Sequence, residues 1–390
     1  MTTLTPREDR ARPPSEATSS AERRLRFREH LRKIGSGEHT SRGLTREEAR
    51  DAMELMLDGS ATPAQIGAFL IAHRIRRPEP QELAGMLDLY RAWGPRLHTE
   101  KPAVCFCMPY DGRSRTAPIH PLTSLVLAAA GVPVVLSGGD RMPVKYGITS
   151  QELFALLGLP LRGLSIGQVQ EGLDRHGVAL VHQPEHLPFA EVLVPYREEL
   201  GKRPPVASVE LLWTPHQGRH LLVSGFVHPP TETRAWEALR LAGESDLVTV
   251  KGLEGGTDLP VSRACVTARV RDGKVKRTIL HPRDHGCHTS ENAWTGEEDW
   301  RRAAEAALEG NGALANAVIW NAGAYLWFSD RSSSLQEGLD RARRLLGQGA
   351  AQQRLEALVA WRRAFITAPA DAAGSEPGCR AGSTDPAAER

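Results

Sequence analysis

Between Pro109 and Gly147 the chain reads PYDGRSRTAPIHPLTSLVLAAAGVPVVLSGGDRMPVKYG, an order of segments that leaves few folds open. Leu122–Ala130 is apolar and long enough for a buried helix, and Val132–Leu136 is a Val-rich run bounded by Gly131 and the Gly138-Gly139 pair. A polar loop carrying Asp111, Arg113 and Arg115 precedes this pair, and another carrying Asp140, Arg141 and Lys145 follows it. Two charged loops meeting at one end of a core strand are what an open α/β sheet presents at the carboxyl ends of its strands, where ligands bind.

The alternation continues downstream. Short apolar runs at Val178–His182, Ser208–Leu212, Leu221–Gly225, Leu247–Val250 and Cys265–Val270 are separated by helical stretches, and Cys105-x-Cys107 falls in a further buried run. This pattern predicts a mostly parallel sheet with helices on both faces. Upstream, Thr45-x-x-Glu48 and Thr62-Pro63-x-Gln65 are capping boxes, and Pro78-Glu79-Pro80 opens a third helix. Ala52, Leu55, Met56, Ile66, Phe69 and Leu70 recur at helical spacing, which predicts a compact helical domain. Glu297–Leu308, Ala313–Leu326 and Leu335–Arg363 are predicted to close the chain as helices. Residues 1–22 and 368–390, rich in Ser, Thr, Pro and Arg or Ala, bury too little apolar surface to order themselves and are expected to be disordered tails. Residues 23–96 form the expected helical domain and 97–367 the α/β domain, a two-domain division that suits 390 residues.

These segments resemble anthranilate phosphoribosyltransferase, of glycosyltransferase family three. The likeness runs from about Leu31 to Arg362 and rests on the LRKIGSGEHTSRGLTREEARDAMELMLDGSATPAQIGAFLIAHRIR helical stretch, the Ala128-Ala129-Ala130-Gly131 helix end and Lys145-x-Gly147. Within the family the chain looks closest to the YbiB-like branch. The resemblance implies a nucleoside phosphorylase/phosphoribosyltransferase-type fold, a homodimer formed through the helical domain, and a return of residues 150–176 to that domain. It implies transfer of a phosphoribosyl group from phosphoribosyl pyrophosphate to an aromatic amine or other small acceptor. Such a reaction rests on holding two substrates in line and neutralising pyrophosphate, and no catalytic side chain is assigned.

Carried over residue by residue, the likeness puts phosphate binding on Asp111, Gly112, Arg113, Gly138, Gly139, Arg141 and Lys145. It puts the acceptor on Arg197, with Arg203 matching a later Arg, and Mg2+ on Asp258 with Glu254 beside it. The chain departs from the pattern in three places. Pro109-Tyr110-Asp111-Gly112-Arg113 stands where the enzymes carry a glycine-rich turn, Pro118-Ile119-His120-Pro121 replaces Asn-x-Ser-Thr, and Thr257-Asp258 replaces a pair of acids. Prolines supply neither N–H nor side-chain donor. Arg113 and Arg115 are the available replacements, because guanidinium binds phosphate bidentately. The phosphate and metal site is therefore expected to be degenerate, with little activity on anthranilate. Changing Arg113 or Lys145 to Ala is expected to weaken a phosphate ligand by about 1–3 kcal/mol and to spare the fold.

Charge supports a second class of function. The net charge is only +2, but Arg23, Arg24, Arg26, Arg28, Arg32 and Lys33 crowd the N-terminus, and Arg341, Arg343, Arg344, Arg354, Arg362 and Arg363 punctuate the last helices. Such clusters neutralise nucleic-acid phosphates without reading sequence, and the YbiB-like branch is associated with non-specific DNA binding. No apolar run approaches the roughly 20 residues of a membrane span, and the Arg- and Pro-bearing start has no signal-peptide core, so a cytoplasmic protein is expected. The five cysteines are scattered, and His285-Gly286-Cys287-His288 lacks the second cluster that zinc sites need, so it is read as a loop with reduced core thiols.

Overall fold

The computed structural model describes residues 19–367; the two expected tails lie outside the described residues except for Ser19–Glu22, which cap and begin the first helix. Four helices, Ser20–Gly35, Arg46–Leu57, Pro63–Arg76 and Pro80–Trp93, make the N-terminal bundle. Both sequence-read capping boxes are formed, Thr45 with Glu48 and Thr62 with Gln65, and Pro80 takes the first turn of the fourth helix. Each box satisfies orphan amides at the helix start, worth about 1 kcal/mol per cap.

A seven-stranded sheet follows: β1 (Ala103–Cys107), β2 (Val134–Gly138), β3 (Val178–His182), β4 (His220–Gly225), β5 (Asp246–Val250), β6 (Cys265–Arg271) and β7 (Lys274–Leu280). The order is β3-β2-β1-β4-β5-β6-β7, with β1 to β5 parallel and the β6-β7 hairpin antiparallel at one edge. All five residues of β1 are buried, as a central parallel strand covered on both faces requires. Phe106 on β1 meets Tyr325 edge-on at 4.9 Å between ring centres, tying the sheet to helix Ala315–Phe328. That helix packs on Leu335–Gly347 and on His120–Ala129.

Four sequence readings are corrected. Residues 208–212 are not a strand; Ala207–Glu210 is a helical turn, and Trp213 beyond it lies buried against Tyr90. Lys274–Leu280 is a strand that apolar patterning did not single out, because it lies at the sheet edge with most of its side chains exposed. Residues 150–176 do not rejoin the bundle: helix Ser150–Leu156 packs on His120–Ala129 and Glu297–Leu308, and helix Ile166–His176 on β3 and the last helix. The chain does return to the bundle, but through residues 187–212. Phe189 stacks edge-on against Tyr90 and Trp93, and helix Pro229–Leu241 packs along Pro80–Trp93. Leu335–Arg363 is divided into Leu335–Gly347 and Ala350–Thr367 at Gly349, whose φ of 68° ends the first helix.

Candidate active site

Because β1, β2 and β5 run parallel, the loops leaving Cys107, Gly138 and Val250 emerge at the same end of the sheet. The first two loops are laced together by backbone bonds: Gly147 N–H donates to Asp111 O (2.9 Å), Arg113 N–H to Ile148 O (3.1 Å), and Ile148 N–H to Arg113 O (2.8 Å). A Cβ on Gly112 would lie 2.4 Å from Gly147 O, and Gly112 has φ +73°, so only glycine fits. The amide of Gly112 is itself bonded to Pro109 O at 3.2 Å. These amides are spent inside the protein, so they make no open phosphate cradle.

The third loop supplies the acids. Arg113, only 2% exposed, donates to Asp258 at 2.5 Å and lies 3.5 Å from Glu254. Glu254 accepts from the amides of Ser114 (3.3 Å), Arg115 (3.1 Å) and Thr116 (3.0 Å) and from the Thr116 hydroxyl (2.9 Å). Asp258 also accepts from Ile119 N–H at 2.8 Å. Burial would raise both carboxyls, but the Thr116 amide and Arg113 bring Glu254 down to about 2, and Arg113 with His120 holds Asp258 below its usual range. Glu254 sits at φ 55°, a left-handed conformation that costs a non-glycine residue on the order of 1 kcal/mol and persists only where its bonds repay it. Mg2+ wants carboxylate lone pairs open to it and to several waters. Here Arg113 lies against both acids, and Glu254 is engaged by three amides and a hydroxyl, so the pair as arranged does not fit a divalent cation.

The folded value of Glu254 lies below the ordinary carboxylate value, so its contribution is complete above about pH 4.5 and is lost as pH falls toward 2. Urea midpoints at pH 6 and pH 3 should therefore fall further for the parent protein than for Glu254→Gln; equal falls would show that the carboxylate is not held.

Lys145 reaches the same place from the second loop. Its Nζ lies 3.3 Å from Gly112 O and 3.2 Å from Glu254 O, and burial lowers its pKa despite Asp111. Asp111 is buried and paired with Arg203. Gly138 and Gly139 line a narrow crevice with Tyr110, Arg113, His120 and Ser137. Arg141 does not join them: it pairs with Glu152 (2.7 Å) and Glu297 (2.6 Å). Arg197 is buried and bound by Glu210, with the Met142 sulfur at 3.1 Å. An acceptor carboxylate would find that guanidinium already paired.

A profile of the glycosyl transferase family's helical bundle domain matches residues 28–94, and a profile of the same family's a/b domain matches residues 112–352. The chain belongs to this family. It is 31% identical over 324 residues to anthranilate phosphoribosyltransferase of Sinorhizobium medicae, covering 81% of this chain and 94% of the relative. With the Azorhizobium caulinodans enzyme of the same name it shares 29% over 342 residues, covering 85% and 96%. Among solved structures, the Thermus thermophilus anthranilate phosphoribosyltransferase superposes with a TM-score of 0.71 at 26% identity, covering 85% of this chain and 99% of that one. The Saccharomyces cerevisiae enzyme in complex with PRPP and Mg reaches 0.74 at 15% identity, covering 89% and 99%, a likeness of fold.

Sequence reasoning missed two features of this end of the chain. Glu210 gave no signal, because its segment read as a strand. Cys105 comes together in the core with His216 and His220, a pair remote from it in sequence, whereas the loop around Cys287 is satisfied by its own carbonyls and by Gln336. His216 Nδ1 lies 3.3 Å from His220 Nδ1, Thr99 holds the other His216 nitrogen, and Glu244 holds the other His220 nitrogen at 2.9 Å. Burial and its neighbour push His216 down to about 4, whereas for His220 the Glu244 hydrogen bond overcomes burial and raises it. His220 Nδ1 also faces the Gly218 carbonyl at 2.8 Å, which makes it the donor in its contact with His216. The four described cysteines are unpaired thiols, all buried.

Proposed function

We propose that this protein transfers a phosphoribosyl group from a donor of the phosphoribosyl pyrophosphate class to a small acceptor that lacks the carboxylate of anthranilate. The observation that carries this reading is the convergence of Lys145, Arg113 and Arg115 with the β1, β2 and β5 loops, in a family whose relatives are anthranilate phosphoribosyltransferases. The bond from the anomeric carbon to pyrophosphate oxygen breaks, the acceptor nitrogen bonds to that carbon with inversion, and the acceptor proton leaves to solvent. The chain's own contribution is positioning and charge: Lys145 at the mouth faces the departing phosphates, and the laced loops hold it there. Mg2+ is not assigned to Glu254 and Asp258, and no step is routed through it.

The pairing of Arg197 with Glu210 supports a different acceptor. A carboxylate would have to displace a buried anion from a buried cation, which costs more than either gains. Pyrophosphate release measured across neutral aromatic amines, purine and pyrimidine bases and anthranilate tests the reading. Release with a neutral acceptor and not with anthranilate is expected, and no release with any acceptor would end it.

Nucleic-acid binding draws less support from the side chains. Arg26 pairs with Asp51, Arg32 with Glu29, Lys33 with Glu48 and Arg343 with Asp340, while Arg362 is buried and donates to the Pro160 and Arg162 carbonyls. Those acids reduce the positive potential that binding phosphate backbones needs. Gel shifts over a salt series should accordingly show only weak retardation. No helix among the described residues is long and apolar enough to cross a membrane.

For assembly we propose a homodimer built on helix Pro63–Arg76. Leu57 and Leu89 are buried in the bundle. The surface stripe is instead Ala64, Ala68, Ile71 and Ile75, with Ile75 77% exposed. Light scattering should give a dimer for the parent protein and a monomer for the Ile71→Asp, Ile75→Asp double variant; a parent monomer at micromolar concentration counts against it.

A further inference from the structure

Three successive backbone N–H groups, those of Ser114, Arg115 and Thr116, aim at one carboxylate, Ser114 at Oε2 and the other two at Oε1, and the Thr116 hydroxyl aims at Oε1 too. A concavity of consecutive amides is an anion site wherever it occurs. In this protein the anion is internal: the Glu254 carboxylate occupies it. Around the same carboxylate stand Arg113 Nε at 3.5 Å, Arg115 Nε at 3.7 Å and Lys145 Nζ at 4.0 Å. We infer that the Ser114–Thr116 amides form a phosphoryl-binding site, that Glu254 fills it as an internal stand-in for the ligand, and that Arg113 is the built-in cation which makes the site independent of a divalent metal.

Charge balance explains why a ligand can exchange with Glu254. Arg113, Arg115 and Lys145 bring three positive charges, against two negative charges on Glu254 and Asp258. With Glu254 withdrawn, Asp258 still holds Arg113 and the Ile119 amide, and two positive charges plus three amides are left facing the vacated point. A phosphoryl group, with three strong acceptor oxygens against the two of a carboxylate, satisfies the amides and the Thr116 hydroxyl together. The element that carries Glu254 is a single turn, Leu253–Gly255, and Glu254 itself is held in a left-handed conformation that its side-chain bonds maintain, so a ligand that takes over those bonds removes what holds the residue there. A divalent cation has no such opening, because Arg113 lies against both acids.

This inference rests on the donor-site reading above, but its test does not use turnover. Inorganic pyrophosphate is titrated calorimetrically into the full-length parent protein and into Glu254→Ala, with and without Mg2+, and thermal unfolding is followed in the same solutions. Glu254→Ala should bind at least tenfold tighter than the parent, without requiring Mg2+, and pyrophosphate should raise its Tm more than the parent's. Equal affinity in both proteins, or binding in both only when Mg2+ is present, overturns the inference. If Glu254→Ala does not fold, Glu254→Gln decides: it keeps an acceptor oxygen but loses the charge, and affinity no better than the parent's overturns the inference. Tighter pyrophosphate binding by the variant without turnover by the parent would leave this inference standing and remove the transfer reading. Turnover by the parent with no change in pyrophosphate affinity on losing Glu254 would do the reverse.

Discussion

Arg113→Ala should destabilise the fold by about 3–5 kcal/mol, the usual penalty for removing one partner of a buried ion pair and leaving the other uncompensated. Two carboxylates, not one, lose their cation, because Arg113 contacts Asp258 at 2.5 Å and Glu254 at 3.5 Å, all three being nearly inaccessible. From the sequence alone, an arginine in a polar loop reads as a ligand-binding side chain whose removal spares the fold. Its burial reverses that expectation. Lys145→Ala provides the contrast: Lys145 is about a fifth exposed and touches only two carbonyls closely, so its loss should cost about 1 kcal/mol or less. Urea unfolding of the two variants at pH 7 separates them. Comparable midpoints would mean that Arg113 is not the cation that holds the third loop. At low pH the difference should shrink, because protonating Glu254 and Asp258 removes the charges that Arg113 compensates.

The fold was legible where packing follows from local pattern. β3 was read at its limits, Val178–His182, because a short Val-rich apolar run, Val178–Val181, sits between Gly177 and Pro184, too short for a helix. The bundle helices announced themselves through Thr45, Thr62 and Pro80, whose caps act within one turn of chain. What failed was whatever depends on a distant partner. Lys274–Leu280 is a strand because β6 lies beside it, not because its side chains alternate strongly, and Val209 is buried as part of a helical turn, not a strand. The site divided in the same way. That the two charged loops converge followed from their place at one end of a strand. That Glu254 plugs the Ser114–Thr116 amides could not be read, because its partners are about 140 residues away in sequence and an acid in a Gly-rich turn carries no sign of what it faces. Arg141 and Arg197 fell to the same cause: Glu152, Glu297 and Glu210, each remote or misread, had already claimed them.

Turnover with saturating anthranilate should be lower than that of an enzyme with the full donor set by a factor on the order of 10^4–10^6. A single preorganised donor aimed at developing charge is worth roughly 10^2–10^3 in rate; two are missing or occupied here, and a third loss weakens acceptor binding. First, the amides of Gly112 and Arg113 are bonded to Pro109 and Ile148 carbonyls, so the loop offers no cradle for pyrophosphate in this state. Second, Pro118 and Pro121 have no donor to give, and the His120 side chain between them is turned to Ser150 at 2.8 Å. Third, Arg197 is already paired with Glu210, so the acceptor carboxylate meets a neutral pair where it needs a cation. The first two losses act on the donor and the third on the acceptor, so repairing one side alone should not restore the rate. Glu210→Gln frees charge on Arg197 and is expected to improve anthranilate binding by about 1–3 kcal/mol while leaving the rate at saturation close to the parent's. Loss of anthranilate fluorescence, followed with phosphoribosyl pyrophosphate and Mg2+ for the parent and for Glu210→Gln, measures both parameters. Fast turnover by the parent would show that Glu254 and Arg113 rearrange in the ternary complex far enough to rebuild a working donor site, and a large rate gain in Glu210→Gln would show that the acceptor side alone was limiting.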